Sequence, residues 1–129
     1  MDIDRTVHEF IENKDHFILV DLRSPTEYKD SRIPKAINIP IFNDKEREEV
    51  GTIYKQIGSQ EAKWRAMEIV APKLPTILGK IKEQKEQGKL PLLYCSRGGM
   101  RSQSLAQFAQ LSGLTVNRLA GGYRAYRNY

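Results

Sequence analysis

Cys95 is the chain's one cysteine, and its surroundings are typical of a nucleophile. The apolar run 90–94 before it reads as a buried strand, and apolar residues recur behind it at helical spacing: Leu105, Phe108, Ala109 and Leu111. A tight turn between a strand and a helix start presents unpaired backbone N–H groups that attract an anion. Such a field also favours the thiolate, which is the reactive form of cysteine. The spacing therefore predicts a nucleophilic sulfur beside an oxyanion site.

The loop behind Cys95 contains the groups that such an anion needs. Gly98 and Gly99 allow backbone amides to turn inward as a nest, and Arg97 and Arg101 add two cations with no acidic residue nearby in sequence. The predicted substrate-binding residues are the whole loop: Ser96, Arg97, Gly98, Gly99, Met100 and Arg101. The competing interpretation is that Cys95 is a small buried hydrophobe. The strand–loop–helix context favours catalysis.

The net charge of +5 comes from one part of the chain. Acidic and basic residues balance over 1–89, whereas 90–129 contains no Lys, Asp or Glu and five arginines: Arg97, Arg101, Arg118, Arg124 and Arg127. Arginine is suited to bidentate contact with phosphate groups. The distribution predicts a phosphorylated small molecule, a nucleic-acid backbone, or both as ligands. A basic surface that binds nothing is the alternative.

Composition restricts the class of protein. The 129 residues fit one domain, and one cysteine cannot form an internal disulfide. The first residues lack the apolar core of a secretion signal, and no apolar run approaches membrane-spanning length, which predicts a cytoplasmic protein without membrane contact. His8 and His16 are interpreted as surface residues, so no metal site is predicted. Gly79-Lys80 lacks the rest of a P-loop, which excludes nucleotide hydrolysis by that motif.

Strand and helix patterns alternate along the chain. Strands are predicted at 17–20, 36–39, 90–94 and 115–119, and helices at 43–57, 59–87, 101–111 and after Gly121. This alternation predicts an α/β fold with a parallel sheet and helices on both faces. Ligands of such sheets bind at the carboxyl ends of the strands, where Cys95 is placed.

Several helix boundaries have local signals. Asp4 is predicted to cap the first helix, and Ser24-Pro25-Thr26-Glu27 has the pattern of a capping box with proline at the first position. Pro72 and Pro75 must break or kink the helix at 59–87. Gly113 is a predicted C-cap.

Six further side chains have both a structural and a functional interpretation. Trp64, on an apolar stripe, is interpreted as a core residue, and Arg23 and Glu27 as a surface ion pair. Asp21 and Arg23 are expected to brace the sheet. Tyr123 and Tyr126 would either stack on nucleotides or pack the last helix.

Three blocks resemble the signature segments of a rhodanese domain: 20–28, 33–40 and the cysteine loop from Tyr94. This resemblance spans essentially the whole chain. It implies a rhodanese-like, five-stranded parallel sheet with a persulfide-forming cysteine at the base of the loop. Ser31-Arg32 stands where the family usually has Gly-His, a position that is generally structural.

A finer resemblance rests on an insertion at 44–56 together with 97–102 and 121–127. These segments are similar to the N-terminal domain of the tRNA 2-selenouridine synthase family. Members use selenophosphate to replace the sulfur of wobble 2-thiouridine in tRNA with selenium, through an S-geranylated intermediate, and carry a P-loop domain after the rhodanese domain. The resemblance implies a single rhodanese domain over 1–129, with a family-specific helical insertion at about 43–60. A natural separate subunit and a piece of a longer protein are both open.

The resemblance also implies roles and partners. Cys95 would accept or relay selenium, as a perselenide-type adduct or by direct attack on selenophosphate, while the loop amides with Arg97 and Arg101 hold phosphate oxygens. The expected partners are tRNA, selenophosphate as the selenium donor, and a P-loop domain or subunit covering the insertion and the tail from Tyr123; no bound cofactor is expected. Neither a P-loop nor spare length for a prenyl diphosphate site is evident.

The same residues are compatible with two other functions. The Cys-x5-Arg spacing from Cys95 to Arg101 is shared with phosphatases of rhodanese fold, which form a phosphocysteine. The third reading is a non-catalytic module that binds tRNA or a partner through its arginines.

Overall fold

The computed structural model describes residues 3–85 and 88–129. Its centre is a five-stranded parallel sheet with the order β1-β5-β4-β2-β3. The strands are β1 (Asp4–Arg5), β2 (Phe17–Asp21), β3 (Ile37–Asn38), β4 (Leu90–Tyr94) and β5 (Asn117–Leu119). The predicted α/β class and five-stranded parallel sheet are confirmed. The four strands located in the sequence are present: β4 has the predicted bounds, β2 is one residue longer, and β3 and β5 are shorter. The position of β1 was not predicted.

Seven helices accompany these strands within the described residues. They are α1 (Val7–Glu12), α2 (Pro25–Asp30), α3 (Asp44–Gln56), α4 (Ser59–Val70), α5 (Leu74–Lys85), α6 (Met100–Leu111) and α7 (Gly122–Asn128). Short 3₁₀ turns occupy Lys14–His16 and Ala71–Lys73. The predicted break at Pro72 is confirmed, since a 3₁₀ turn separates α4 from α5 there. Residues 86 and 87, at the end of the predicted helix 59–87, lie outside the described residues.

The core lies on both faces of the sheet. Val20 and Leu93 face a cluster formed with α4, α5 and α6, whereas Leu19 and Leu92 face a second cluster with α1, α2 and α7. Successive residues of one strand point to opposite faces, so two buried layers require strands that are apolar throughout. This explains the continuous apolar runs in β2 and β4, and it confirms helices on both faces.

Of the two helix starts predicted from capping residues, one is confirmed and one is wrong. Asp4 was expected to cap the first helix, but it lies in β1 opposite Arg118, and Thr6 caps α1 instead with a full capping box to Glu9. At α2 the capping-box prediction holds, because the Glu27 carboxylate accepts a hydrogen bond from the Ser24 N–H at 3.0 Å. Long-range strand pairing overrode the local signal at Asp4.

The prediction that Trp64 belongs to the core is wrong. Its side chain is 65% exposed, and Ala62 and Ile69 are the residues of α4 that are buried. In α6, Leu105 and Ala109 are buried as their spacing indicates, but Phe108 and Leu111 are exposed. No helix in the described ranges is both long and apolar enough to cross a membrane.

Candidate functional site

The loop between β4 and α6 begins at Cys95, at the carboxyl end of a central strand. The Cys95 side chain is only 3% exposed, and its Sγ lies 3.3 Å from the Oγ of Ser102 in the first turn of α6. Ser102 is fully buried. A thiol donates a hydrogen bond to this hydroxyl, whereas a thiolate accepts one from it. Ser102 is therefore placed to stabilise either protonation state of the sulfur.

The amides of the loop are available to a ligand. In the described part of the chain, the backbone N–H groups of residues 96–101 donate no hydrogen bond to another protein group. Gly98 has φ +68, in the left-handed region that glycine adopts without strain. Consecutive unpaired N–H groups at a helix start form an anion-binding surface. The loop can therefore hold oxyanion oxygens next to the sulfur.

Arg118 supports the loop from β5. Its Nη1 donates to the carbonyl of Gly98 at 2.6 Å, and Nε and Nη2 form a two-pronged contact with the carboxylate of Asp4 at 3.0 and 3.1 Å. Hydrogen bonding to Asp4 is the main cause that raises the pKa of Arg118, and the charges of Asp4 and Cys95 add to it. The site thus includes a permanent cation that interacts with the cysteine.

Arg101 does not have the unpaired position that its sequence surroundings suggested. Its Nη1 donates to Glu27 Oε1 at 2.8 Å and its Nη2 to Glu27 Oε2 at 3.3 Å, while Nη2 also reaches the Ser96 hydroxyl at 3.0 Å. Ser96 in turn donates to Glu27 at 3.0 Å. Glu27 therefore connects α2 to both ends of the cysteine loop.

Glu27 is held ionised by these contacts. Burial alone would raise the pKa of its carboxyl group, but the hydrogen bonds and charge of Arg101, with donors from Ser24 and Ser96, lower the pKa to about 2. The predicted Arg23–Glu27 surface pair is wrong, because Arg23 pairs instead with Asp21. Glu27 therefore lies in the candidate site. The sequence did not indicate this, because Arg23, four residues before it, was the nearer partner for an ion pair.

Asp21 and Arg23 form the bracing network that was expected of them. The Arg23 guanidinium donates to Asp21 Oδ2 at 2.7 Å and to the Ser31 carbonyl at 2.5 Å, and the Tyr94 hydroxyl donates to Asp21 at 2.8 Å. Burial and the neighbouring Asp21 charge raise the pKa of Tyr94, which therefore stays neutral. The network joins the ends of β2 and β4 beneath the loop. Ser31, which stands where the family usually has Gly, contributes only its backbone carbonyl to this network.

The start of α7 packs directly against the cysteine loop. The Tyr123 N–H donates to the Cys95 carbonyl at 2.8 Å, and the Arg124 N–H donates to the Ser96 carbonyl at 2.9 Å. Gly122 has φ +59, and a Cβ built on it would lie 2.3 Å from the Cys95 carbonyl oxygen. Only glycine permits this approach. Tyr123 and Tyr126 are half-buried and pack α7 onto the domain, which favours the packing alternative for these rings.

Two cavities meet at the loop. An apolar groove of about 780 Å³ runs between α3, α4 and α6, and its lining includes Cys95, Tyr54, Met67 and Phe108. On the other side, a cleft of about 420 Å³ that we call the arginine cleft is lined by Arg23, Ser31, Ser96, Arg97, Tyr123, Arg124 and Arg127. Ser96 and Arg97 line both cavities.

The structure brings most of the predicted loop residues into this site. Ser96 and Arg101 form the network with Glu27, Gly98 accepts from Arg118, and Arg97 and Met100 are exposed beside the groove. Sequence reasoning missed Ser102, Arg118 and Glu27 as site residues. Ser102 directly follows the loop, and Arg118 belongs to the unbalanced arginines, so both had a weak signal.

The fold and the cysteine loop are those of a rhodanese. The profile of the rhodanese-like domain matches residues 5–129, and the chain belongs to this family. Solved rhodaneses share the fold at lower sequence identity: a rhodanese-related protein from Thermoplasma volcanium superposes with a TM-score of 0.59 at 20% identity, covering 97% of this chain and 90% of that one.

Within the family, the chain is similar to tRNA 2-selenouridine synthases. It is 40% identical over 111 residues to the enzyme of that name from Psychromonas ingrahamii, and 39% identical over 119 residues to that of Shewanella sp. strain MR-7. Each comparison covers 86% of this chain but only 30% of the relative. The resemblance noted in the sequence is therefore confirmed, for a chain that spans about a third of its curated relatives.

A solved structure covers the same portion. The N-terminal domain of a protein described as ATP/GTP binding, from Clostridium difficile 630, superposes with a TM-score of 0.87 at 38% identity. The superposition covers 99% of this chain and 97% of that one.

Proposed function

We propose that the chain is the selenium-transferring part of a tRNA 2-selenouridine synthase, with Cys95 as nucleophile and selenophosphate as donor. The observation that carries the proposal is the cysteine loop. Its thiol lies beside the Ser102 hydroxyl and at the start of six consecutive backbone amides that donate to no protein group within residues 3–85 and 88–129. A cation, Arg118, is fixed behind it. Such a site combines a nucleophile with a receptor for phosphate oxygens.

Two routes of attack on selenophosphate balance, and they release different phosphorus products. Attack by Cys95 on selenium would give a perselenide only if the electron pair left with phosphorus as phosphite. Attack on phosphorus instead forms the S–P bond, breaks the P–Se bond and releases hydroselenide, with no oxidation or reduction. Water then hydrolyses the phosphocysteine to phosphate and the free thiol. The loop amides stabilise the phosphoryl oxygens in both steps.

The apolar groove suits the molecule that receives the selenium. The S-geranylated 2-thiouridine of the family's reaction carries an apolar chain, and the groove offers an apolar volume that reaches Cys95. In that position, hydroselenide displaces the alkylated sulfur from the base, leaving selenium on the ring and an alkyl thiol. The sequence did not suggest room for such a chain, because the groove is built by packing α3 against α4.

The phosphatase reading has less support from the site. Arg101 is paired with Glu27, so in either function the loop amides would bind the phosphoryl oxygens. The apolar groove beside the nucleophile separates the two functions, because a simple phosphate ester has no use for it. A non-catalytic module would not need a buried thiol with a hydrogen-bond partner and a cation. The relatives' greater length supports a P-loop domain or subunit that supplies the alkylated tRNA.

Comparing three donors tests this function. The chain is incubated separately with selenophosphate, thiosulfate and an aryl phosphate, and the release of phosphate, sulfite and phenol is followed. We expect Cys95-dependent phosphate release from selenophosphate at a rate at least tenfold above hydrolysis of the aryl ester. Faster turnover of the aryl phosphate would establish the phosphatase, and no turnover of any donor would establish the binding module.

A further inference from the structure

Three of the four arginines in the arginine cleft form no ion pair with a carboxylate in the part of the chain that the structure describes. Of its four arginines, Arg23 is paired with Asp21, whereas no ion pair within the described ranges involves Arg97, Arg124 or Arg127. All three of these side chains are exposed, and none of the residues lining the cleft is acidic. A concave surface with one sign of charge concentrates ligands of the opposite sign.

These cations have a fixed position relative to Cys95. Arg124 and Arg127 are three residues apart on α7 and so share a helix face, and the first turn of that helix is hydrogen-bonded to the carbonyls of Cys95 and Ser96. The contact is backbone against backbone, since a Cβ on Gly98 would lie 2.7 Å from the Gly121 nitrogen. A ligand held by the cleft is therefore placed relative to the sulfur.

The arginine cleft and the apolar groove share a wall, and this limits the kind of ligand that can occupy both. Ser96 and Arg97 line both, so a molecule held in the cleft continues toward the groove and Cys95. A lone phosphate would need one or two of these cations, but three guanidinium groups from two separate elements match a chain of phosphates. Arginine binds the phosphate oxygens of such a chain bidentately.

We propose that the arginine cleft binds the phosphodiester backbone of single-stranded RNA on one side of the reacting nucleotide, and directs its base into the groove. This rests on the proposed function, in which the substrate is an RNA. The contacts to Arg97, Arg124 and Arg127 give affinity and register, while the identity of the base is left to the groove.

The test is binding of a fluorescein-labelled single-stranded oligoribonucleotide, followed by anisotropy over a range of salt concentrations. Arg124→Gln/Arg127→Gln is compared with Lys80→Gln/Lys82→Gln, which removes the same charge from exposed positions of α5. We expect at least tenfold weaker binding for the arginine variant, and a salt slope reduced by about 1.4 because two phosphate contacts are lost at ~0.7 each. The lysine variant stays within about twofold of the parent.

Arg97→Gln provides an independent variant at the other side of the cleft, with an expected slope change of about 0.7. Thermal melting checks that each variant is folded. Equal losses in the arginine and lysine variants, or an unchanged salt slope, would overturn the proposal. So would displacement of the RNA by inorganic phosphate or by polyglutamate at the concentration at which unlabelled RNA displaces it, since the cleft would then serve a free anion or an acidic protein.

No selenium donor is present in this assay, and the donor assay of Cys95 contains no RNA. A failure of the cleft to bind RNA therefore leaves the donor chemistry intact, and an inactive thiol leaves the binding result intact.

Discussion

The two cavities beside the cysteine loop differ in chemistry although they share Ser96 and Arg97. The groove is built mainly from the helices that follow β3 and is mostly apolar. The cleft is built from Arg23 and Ser31 on either side of α2, the cysteine loop and α7, and it is cationic. A substrate that used only a phosphate ester would need neither a long apolar wall nor a second set of arginines. The difference fits the proposed substrate, in which an anionic backbone and an apolar chain would meet near Cys95.

Removing the thiol should have the largest effect, because the proposed chemistry takes place on its sulfur. Cys95→Ser replaces the nucleophile with a hydroxyl that is not appreciably ionised at neutral pH. We expect phosphate release from selenophosphate to fall below detection, with a melting temperature within a few degrees of the parent. Turnover by Cys95→Ser at the rate of the parent would mean that another group is the nucleophile.

Pushing α7 away from the cysteine loop should destabilise the fold, and the arginine cleft with it. Gly122→Ala adds a Cβ at φ +59 and 2.3 Å from the Cys95 carbonyl oxygen, so the free energy of unfolding should fall by about 3 kcal/mol or more. Gly79→Ala is the matched control in α5, where a Cβ meets nothing within 4 Å. The control should gain about 0.5–1 kcal/mol in urea denaturation. Equal stability of the two variants would mean that α7 does not pack closely on the loop.

The ion pair between Glu27 and Arg101 should give a pH-dependent stability. The folded-state pKa of Glu27 is lowered from 4.5 to about 2, so its contribution is fully present above pH 4.5 and is lost as the pH falls toward 2. That difference corresponds to at most about 3 kcal/mol. Glu27→Gln should cost about 2 kcal/mol at neutral pH and flatten the fall in stability over this acid range. A variant with the parent's acid profile would show that other carboxylates cause it.

Filling the groove should weaken only the binding of the apolar part of the substrate. Gly51→Phe places a ring in the groove, where the new Cβ meets only the flexible end of Arg47, and Gly79→Phe adds the same ring on exposed α5. We expect the first variant to bind an S-geranylated 2-thiouridine oligonucleotide about tenfold more weakly, and its non-alkylated counterpart almost unchanged. The second variant should behave as the parent with both. Equal weakening of both ligands by Gly51→Phe would mean that the groove does not hold the alkyl chain.

The core of the fold was predictable because its signals are local. The apolar runs of β2 and β4 and the spacing after Cys95 are sufficient to predict a parallel sheet and a loop at its carboxyl edge. The prediction that Asp4 caps the first helix is wrong because its partner, Arg118, lies 114 residues away in sequence. The prediction that Trp64 belongs to the core is wrong because α4 has apolar residues on more than one face. Their spacing does not reveal which face packs on the core.

The site was predictable up to the loop and not beyond it. Cys95 and the residues to Arg101 form one contiguous motif, but Arg101 and Glu27 are separated by 74 residues. Their contact depends on how α2 is placed beside α6. The groove likewise depends on the packing of α3 against α4, which no single segment encodes.

Accurate-mass spectrometry of Cys95 after rapid quenching from selenophosphate tests the central claim most directly. Phosphoryl and selenium adducts have nearly the same nominal mass, but selenium has a broad isotope pattern that distinguishes them. We expect a phosphoryl group on Cys95 that is absent from Cys95→Ser, with hydroselenide equal to the sum of this adduct and the phosphate already released. A selenium isotope pattern on Cys95, or hydroselenide release with no adduct, would contradict attack at phosphorus.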